Sequence, residues 1–565
     1  MLIMESVHGP LLRSLLVITS IAIGTFLVKL YNARMFFRRL QEQGLVSTPP
    51  IDYYCYNRTD LIFLGQPMPP HHPILGHIAL SARILGGLPK NAHGHYLADQ
   101  INRMYPDLGP SFYLDTWPFG PPVLVVISPD MMYQYTQDRY LQKHVGMRRF
   151  LEPLTGEHDL VSMEGPMWKR WRRIFNPGFS ATHIATLCGS VMEEVKIFRD
   201  LLRKHAVEGD IFRLEDHALN VAIDVVGRAA MDVRFNSQTS YCDMTTALRE
   251  QVPWCSFGIE LSPFAFLNPI RPIARRWNTY RMNRWIVPRL EARYSSNRGT
   301  VSSKSVIDLA LNTYHEEIAV NSDKGTTGMD TMFRAFATSQ LKLFVFAGHD
   351  TTASTICYVY HNLWRSPSAL ARIREEHDSV FGRSIEAAEM MIQNDPHILN
   401  ALPFTIAVIK ETLRLFPVVT TTRQGIPDFI LTDSEGRQFP TDKCLVWGNH
   451  HGLHRNPRYW PKPDQFLPER WLVAERHPLY PVKNAWRPFE FGPRTCIGQE
   501  LAMMEMKMIL VMTIRELNVE GAFSEWDQLH PRKGIKEVRG ERAYQMILGS
   551  AHPADGYPCK VSLTR

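Results

Sequence analysis

Residues whose types and spacing could do chemistry fall into five short stretches. The sharpest is Phe489-Glu490-Phe491-Gly492-Pro493-Arg494-Thr495-Cys496-Ile497-Gly498. Gly492 and Pro493 predict a tight turn, and Cys496 sits between that turn and Gly498, just before helical text beginning Gln499-Glu500-Leu501. A sulfur placed there lies at a helix N-terminus, where the dipole and free N–H groups favour a thiolate. Backbone donors to the sulfur would temper its electron density. Arg494, two residues away, suits a carboxylate.

The second stretch is Ala347-Gly348-His349-Asp350-Thr351-Thr352, inside a long helical pattern from about Met329 to Arg365. An Asp-Thr-Thr run usually marks a cap or turn, but apolar helix continues on both sides. Gly348 is expected to let a flat ring approach. Thr351 is expected to draw its hydroxyl into the backbone ladder and open the helix locally. The third stretch, Lys410-Glu411-Thr412-Leu413-Arg414, puts Glu411 and Arg414 on one helix face. A surface pair of that kind contributes little, but PFTIAVIKETLRLF is apolar on both sides. The fourth, Trp168-Lys169-Arg170-Trp171-Arg172-Arg173, puts Trp168 and Arg172 on one face and Lys169, Arg170 and Arg173 on the other. The inner face offers an indole N–H and a guanidinium to carboxylates. The outer face is either a docking patch for an acidic partner or a solvated surface. Last come His450, His451 and His454. They invite a zinc reading, but Gly452 interrupts them and no HExxH spacing follows, so they are expected to be loop residues.

Taken together these stretches resemble the cytochrome P-450 family. The cysteine loop matches F-x-x-G-x-R-x-C-x-G at Phe489, Gly492, Arg494, Cys496 and Gly498, and the second stretch matches [AG]-G-x-[DE]-T-[ST]. The third resembles the family's ExxR helix, the fourth its WxxxR pattern, and Pro463 to Trp471 its PxxFxPxRW segment. The resemblance implies haem b with Cys496 as axial ligand to the iron. Trp168, Arg172, Arg423 and Arg494 would face the propionates, with Phe489 and Gly348 also at the haem. It makes Glu411, Arg414 and Arg470 a structural network behind the loop, and assigns proton delivery to Asp350 and Thr351. It implies a monooxygenase that puts one oxygen atom of dioxygen into an apolar small molecule. With no GxGxxG, electrons would come from NADPH through a partner reductase, with cytochrome b5 as a second donor. The style of the chain, including HHPILGH, resembles fungal members acting on polyketides or terpenoids in secondary metabolism. A haem-thiolate isomerase or dehydratase, or a non-catalytic haem binder, is the alternative; the Asp350–Thr351 pair argues against both.

The elements that must carry these stretches follow from the rest of the chain. At 565 residues it can enclose a cofactor. A net charge of +7 and the absence of long Lys/Arg runs speak against nucleic acid and fit an anionic membrane or acidic partner. Eight scattered cysteines without a CxxC read as reduced thiols. Leu15 to Val28 carries no charge, and Arg34, Arg38 and Arg39 follow it. A signal peptide has its basic residues first, so an anchor is expected. Its helix spans about 11–31 within residues 1–45, single-pass in the endoplasmic reticulum with the body cytosolic. The Asn57-Arg58-Thr59 sequon would then face the cytosol. Residues 46–75, with Thr48-Pro49-Pro50 and Pro67 to Pro73, read as a stiff spacer. Residues 76–565 read as one catalytic domain, mainly α with small peripheral β-sheets. SFYLDTW and VLVVISP predict a strand pair, PDFILTDSEGRQF a hairpin, and YQMILGS with CKVSLTR two strands flanking a turn. The substrate pocket is expected to involve Phe346, Ala347, Val418, Val419, Thr420 and a hairpin tip near Ala551-His552.

Overall fold

The computed structural model describes residues 2–43, 65–256, 268–296, 305–321 and 329–564. The sequon at Asn57 and Thr48-Pro49-Pro50 lie outside the described residues.

The central element is the helix Thr331–Arg365. Asp330 caps it by accepting from the Phe333 N–H at 3.2 Å, and it stops where Ser366 precedes Pro367, as the residue before proline disfavours helix. Most of its side chains are buried on every side, the pattern of a helix at the middle of a large core. The helix Leu214–Met231 packs along it. The ExxR helix, Pro403–Leu415, begins on a proline, whose missing N–H costs nothing there. The helix Gln499–Thr513 starts three residues beyond Cys496.

Among the described residues, four small sheets sit at the periphery. Strands β1 (Ser111–Leu114), β2 (Val123–Val126), β7 (Leu445–Gly448) and β4 (Thr421–Gln424) form one, in that order. The β1–β2 pair is antiparallel, as expected from the sequence. β5 (Ile430–Thr432) and β6 (Gln438–Pro440) form the expected hairpin. The two C-terminal strands depart from expectation, because they do not pair with each other. β9 (Gln545–Leu548) pairs with β10 (Ser550–Pro553) around Gly549. β11 (Pro558–Leu563) pairs instead with β8 (Leu517–Gly521) and β3 (Phe212–Arg213).

The N-terminal helix is longer than expected, running Leu2–Gln43. Arg13–Glu42 is apolar and long enough to cross a membrane, but its last turns are part of the body. Phe37 and Leu40 are buried, and Arg34 pairs with buried Asp115 and donates to the Ile74 carbonyl at 2.9 Å. The Pro-rich text is not a free spacer where it is described. The Pro67 carbonyl accepts from Tyr113 N–H at 2.8 Å, Met68 is buried, and His71 lies 2.8 Å from Asp115. Proline's lack of an N–H does not stop its carbonyl from joining a sheet edge.

Candidate active site

Gly492 adopts φ +80°, and a Cβ there would lie 2.4 Å from the Thr136 carbonyl oxygen. The loop therefore passes against the Gln134–Asp138 turn only because this residue is glycine. The Cys496 N–H donates to the Phe489 carbonyl at 2.8 Å, closing the loop. Burial pushes the Cys496 thiol up, while N–H groups of Gly498 and Gln499 and the Arg172 guanidinium pull the other way. Cys496 is nonetheless an exposed residue.

Glu490, in the left-handed region at φ +55°, accepts from Arg487 at 3.0 Å and lies 3.0 Å from His450 Nε2. Burial alone would raise this carboxyl; these partners outweigh it and hold it well below the usual range. Of the three histidines, His450 thus braces the loop. His451 stacks on His95 at 4.3 Å, and His454 Nε2 accepts from the Arg487 N–H at 3.0 Å. They lie in a five-residue helix, not a loop, and face different neighbours: Glu490, the His95 ring and the Arg487 N–H. Among the described residues the group with metal-ligand spacing is His205, Glu208 and Asp210, far along the chain and largely exposed.

Behind the loop, Glu411, Arg414 and Arg470 are fully buried and meet. Arg414 donates twice to Glu411, at 2.9 and 2.8 Å, and also to the carbonyls of His454, Pro463 and Gln465. Arg470 donates to Glu411 at 3.0 Å, and Trp471 Nε1–H at 3.1 Å. Two cations on one carboxylate give a net positive, rigid knot whose N–H groups are mostly satisfied by backbone oxygens.

On the other side of the loop the positive groups are less well paired. Arg423, on β4, is 0% exposed, and all three of its guanidinium nitrogens lack a hydrogen-bond partner. It lies over the Tyr140 ring at 5.3 Å. Burial holds its pKa below the ordinary value, with Glu490 opposing. Lys143 bridges to Arg423, and burial together with the neighbouring guanidinium brings its ammonium down to about 7. Half-buried Arg172 has no carboxylate partner among the described residues. An isolated buried cation is costly, and a cluster of them asks for an anionic group. A dicarboxylate such as haem, with a thiolate at hand for its iron, fits this donor set.

Two expected residues sit differently. Arg494 is paired with Glu164 and donates to the carbonyls of Leu160 and Met163 and to the Tyr140 hydroxyl; its charge is met within the protein. It also lies over the Trp168 ring at 3.9 Å. At Gly348 a Cβ would come 2.5 Å from Val226 Cγ2. Its glycine lets two helices cross closely. Thr351 donates to the Ala347 carbonyl at 2.9 Å, yet the helix continues without a break. Asp350 is buried and accepts from the Ser550 N–H at 3.0 Å. Phe489 packs against the core near Trp486.

The sequence reading missed Lys143, Tyr140 and Glu164. Tyr140 donates to Glu164 at 2.5 Å, and Glu164 accepts from the Lys143 N–H at 2.8 Å. No local pattern marks them. The expected pocket residues Val418 and Ala551 are joined by a 2.8 Å backbone bond. The Thr420 hydroxyl is taken by the Gly448 carbonyl and by Trp447, and the hairpin tip is Gly549 rather than Ala551-His552. Val419 is exposed. Phe150, Val252 and Phe346 gather around Gly549. A cavity of about 540 Å³ opens between Lys143, Glu164, Met167 and Phe336.

An accessible cysteine at a helix N-terminus, with unpaired cations on one side and a buried Glu–Arg knot behind, defines a site for a haem-thiolate enzyme. The family model described as Cytochrome P450 matches residues 67–539. The chain is 48% identical to Cytochrome P450 monooxygenase polC of Polytolypa hystricis, over 96% of this chain and 94% of that protein. It is 33% identical to Cytochrome P450 monooxygenase acrF of Aspergillus aculeatus, over 84% of this chain and 98% of that one. The crystal structure of the cytochrome P450DA heme domain superposes with a TM-score of 0.66 at 20% identity, covering 88% of this chain and 97% of that one. The chain belongs to the cytochrome P450 family and is a P450 monooxygenase. The family implies haem and electrons supplied by a redox partner.

Proposed function

We propose that this enzyme inserts one oxygen atom of dioxygen into an apolar small molecule of secondary metabolism, such as a polyketide or terpenoid. The observation that carries the reading is Arg423, buried with every guanidinium nitrogen unpaired, close to the loop of the exposed Cys496. Bound at this site, haem b supplies the iron chemistry that activates dioxygen. The protein's own contributions are separate. Cys496 would hold the haem iron through its thiolate, tempered by the N–H groups of Gly498 and Gln499. Arg423, Lys143 and Arg172 would hold the propionates. Arg494 and Trp168 act one step removed, since Arg494 already satisfies Glu164 and fixes the wall against which those cations stand.

On the opposite side, Asp350 and Thr351 handle protons. The Thr351 hydroxyl has its hydrogen committed to the Ala347 carbonyl, leaving its lone pairs to accept from a donor in the site. Asp350 supplies the carboxylate. The apolar gathering of Phe150, Val252 and Phe346 suits a hydrophobic substrate. Electrons come from NADPH through a reductase in the same membrane, with cytochrome b5 as a second donor. Lys169, Arg170 and Arg173 are exposed on the outer helix face, where an acidic partner would dock. The N-terminal helix anchors the body on the cytosolic face of the endoplasmic reticulum.

The test is turnover under isotopically heavy dioxygen with NADPH and reductase, on extracts of a host making the pathway's other products. One labelled oxygen in the product and one in water are expected. An unlabelled product, formed without NADPH, would instead indicate an isomerase or dehydratase.

A further inference from the structure

Asp350 is not free to turn toward water. Its Oδ1 lies 3.2 Å from His552 Nε2, and its Oδ2 accepts from the Ser550 N–H at 3.0 Å. The other ring nitrogen, His552 Nδ1, lies 2.6 Å from Glu215 Oε1. Glu215 and His552 are each 1% exposed and Asp350 5%. Three elements distant in the chain meet here: the long central helix, the first turn of Leu214–Met231, and β10. Gly549, at φ +85°, brings the hairpin in; a Cβ there would lie 3.3 Å from Asp350 Oδ2. His552 Nε2 also lies 3.2 Å from the Ser550 hydroxyl, which can accept as well as donate. With a carboxylate within reach of each ring nitrogen, the imidazolium, whose two nitrogens both donate, matches these partners.

We propose that His552 is the positioning residue for Asp350: an imidazolium locked by Glu215, it keeps the Asp350 carboxylate ionised and tied to the C-terminal hairpin. This rests on the reading of Asp350 as the proton-handling acid. The surroundings agree. Burial opposes charge on His552, but Asp350 and Glu215 outweigh it and raise its pKa well above the ordinary value. Burial likewise opposes charge on Asp350, and His552 and the Ser550 side chain bring it below. The other groups facing the triad are His349 on the same helix, Arg249 on Asp243–Gln251, and His93 beside β9. Cys357 and Tyr358 face Glu215. His93 and His349 are held neutral by burial, each lowered to about 4. Arg249 is thus the other cation near Asp350. Arg249 donates to Asn220 Oδ1 at 2.8 Å, and His552 is the cation in contact with Asp350.

A consequence is that Asp350 takes up a proton only by parting from His552, and movement of the hairpin controls that parting. Without His552, a carboxyl at this depth protonates at neutral pH. The experiment uses the full-length holoprotein. Infrared spectra at pH 7 of wild type, His552→Gln, and His552→Gln with Asp350→Asn are compared. A protonated-carboxyl band is expected in His552→Gln, absent from wild type and lost with Asp350→Asn; any residual band belongs to Glu215. The acid limb of reductase-driven dioxygen consumption should move up by about one pH unit or more. A folded His552→Gln protein with no such band and an unmoved limb overturns the proposal. If His552→Gln does not fold, Glu215→Gln takes its place. It leaves one carboxylate on His552, so a titration limb should appear nearer neutral pH; a profile matching wild type overturns the proposal. Carbon monoxide spectra of the same samples separate this from the haem-thiolate reading, because none of the substitutions touches the cysteine loop.

Discussion

Replacing Arg423 with methionine removes the one buried guanidinium among the described residues whose nitrogens all lack partners. On the proposed assignment that cation meets a haem propionate in the holoprotein, and the substitution would leave a carboxylate facing an apolar side chain. Breaking one partner of a buried pair costs about 3–5 kcal/mol, and Arg423 is 0% exposed, so solvent screening does not reduce that range. Each 1.4 kcal/mol is tenfold, so haem should leave about a hundredfold to several thousandfold faster. The apoprotein should respond oppositely. There the cation is unpaired, and a methionine of similar length is expected to stabilise by roughly 1–4 kcal/mol. Haem loss is followed by transfer to apomyoglobin, and apoprotein stability by urea unfolding. Unchanged haem transfer, or an apoprotein destabilised by the substitution, would refute the assignment of Arg423 to the propionates.

Other outcomes follow from the same geometry. Glu411→Gln leaves Arg414 and Arg470 buried against a neutral amide and should lower stability by roughly 3–5 kcal/mol. Adding Arg470→Met should then cost little more, which thermal unfolding of the single and double variants checks. Glu505 is buried with an unpaired oxygen, and burial raises its carboxyl to about 8. The folded state therefore binds that proton more tightly than the unfolded one. Its favourable contribution is complete below the unfolded value of 4.5 and declines as pH rises through about 8. Urea midpoints of wild type should fall across that window, and Glu505→Gln should flatten the fall. Deleting residues 1–30 should release the protein from carbonate-washed membranes while leaving the body folded, because Arg34, Phe37 and Leu40 remain.

The local parts of the site were legible because each is a short motif whose spacing is itself the structure. The Cys496 loop, the Glu411–Arg414 helix face and the β1–β2 pair are contacts within or between neighbouring turns. Residues brought in from afar were not. Lys143 and Glu164 join Arg494 across some 330 positions, and His552 reaches Asp350 across 202; no periodicity encodes such meetings. Gly348 shows how a motif can be seen while one use of its glycine, the close crossing with Val226, stays hidden. The sequence marks a missing side chain but not whether a ring or Val226 needs the space. The Pro-rich stretch fails for a related reason. Its stiffness is a backbone property, and its docking on Tyr113 and Asp115 depends on sheet edges defined elsewhere. The C-terminal strands were recognised as strands, but partner choice is set by Gly549, Phe212 and Leu517, which pattern alone does not rank.

The central claim is that Cys496 is the thiolate ligand of a bound haem. It is tested most directly by the reduced carbon monoxide difference spectrum of wild type and Cys496→Ser. A strongly red-shifted Soret band in wild type, lost in Cys496→Ser, is the expected result. Well-folded wild-type protein without that band, or a serine variant that keeps it, would contradict the claim.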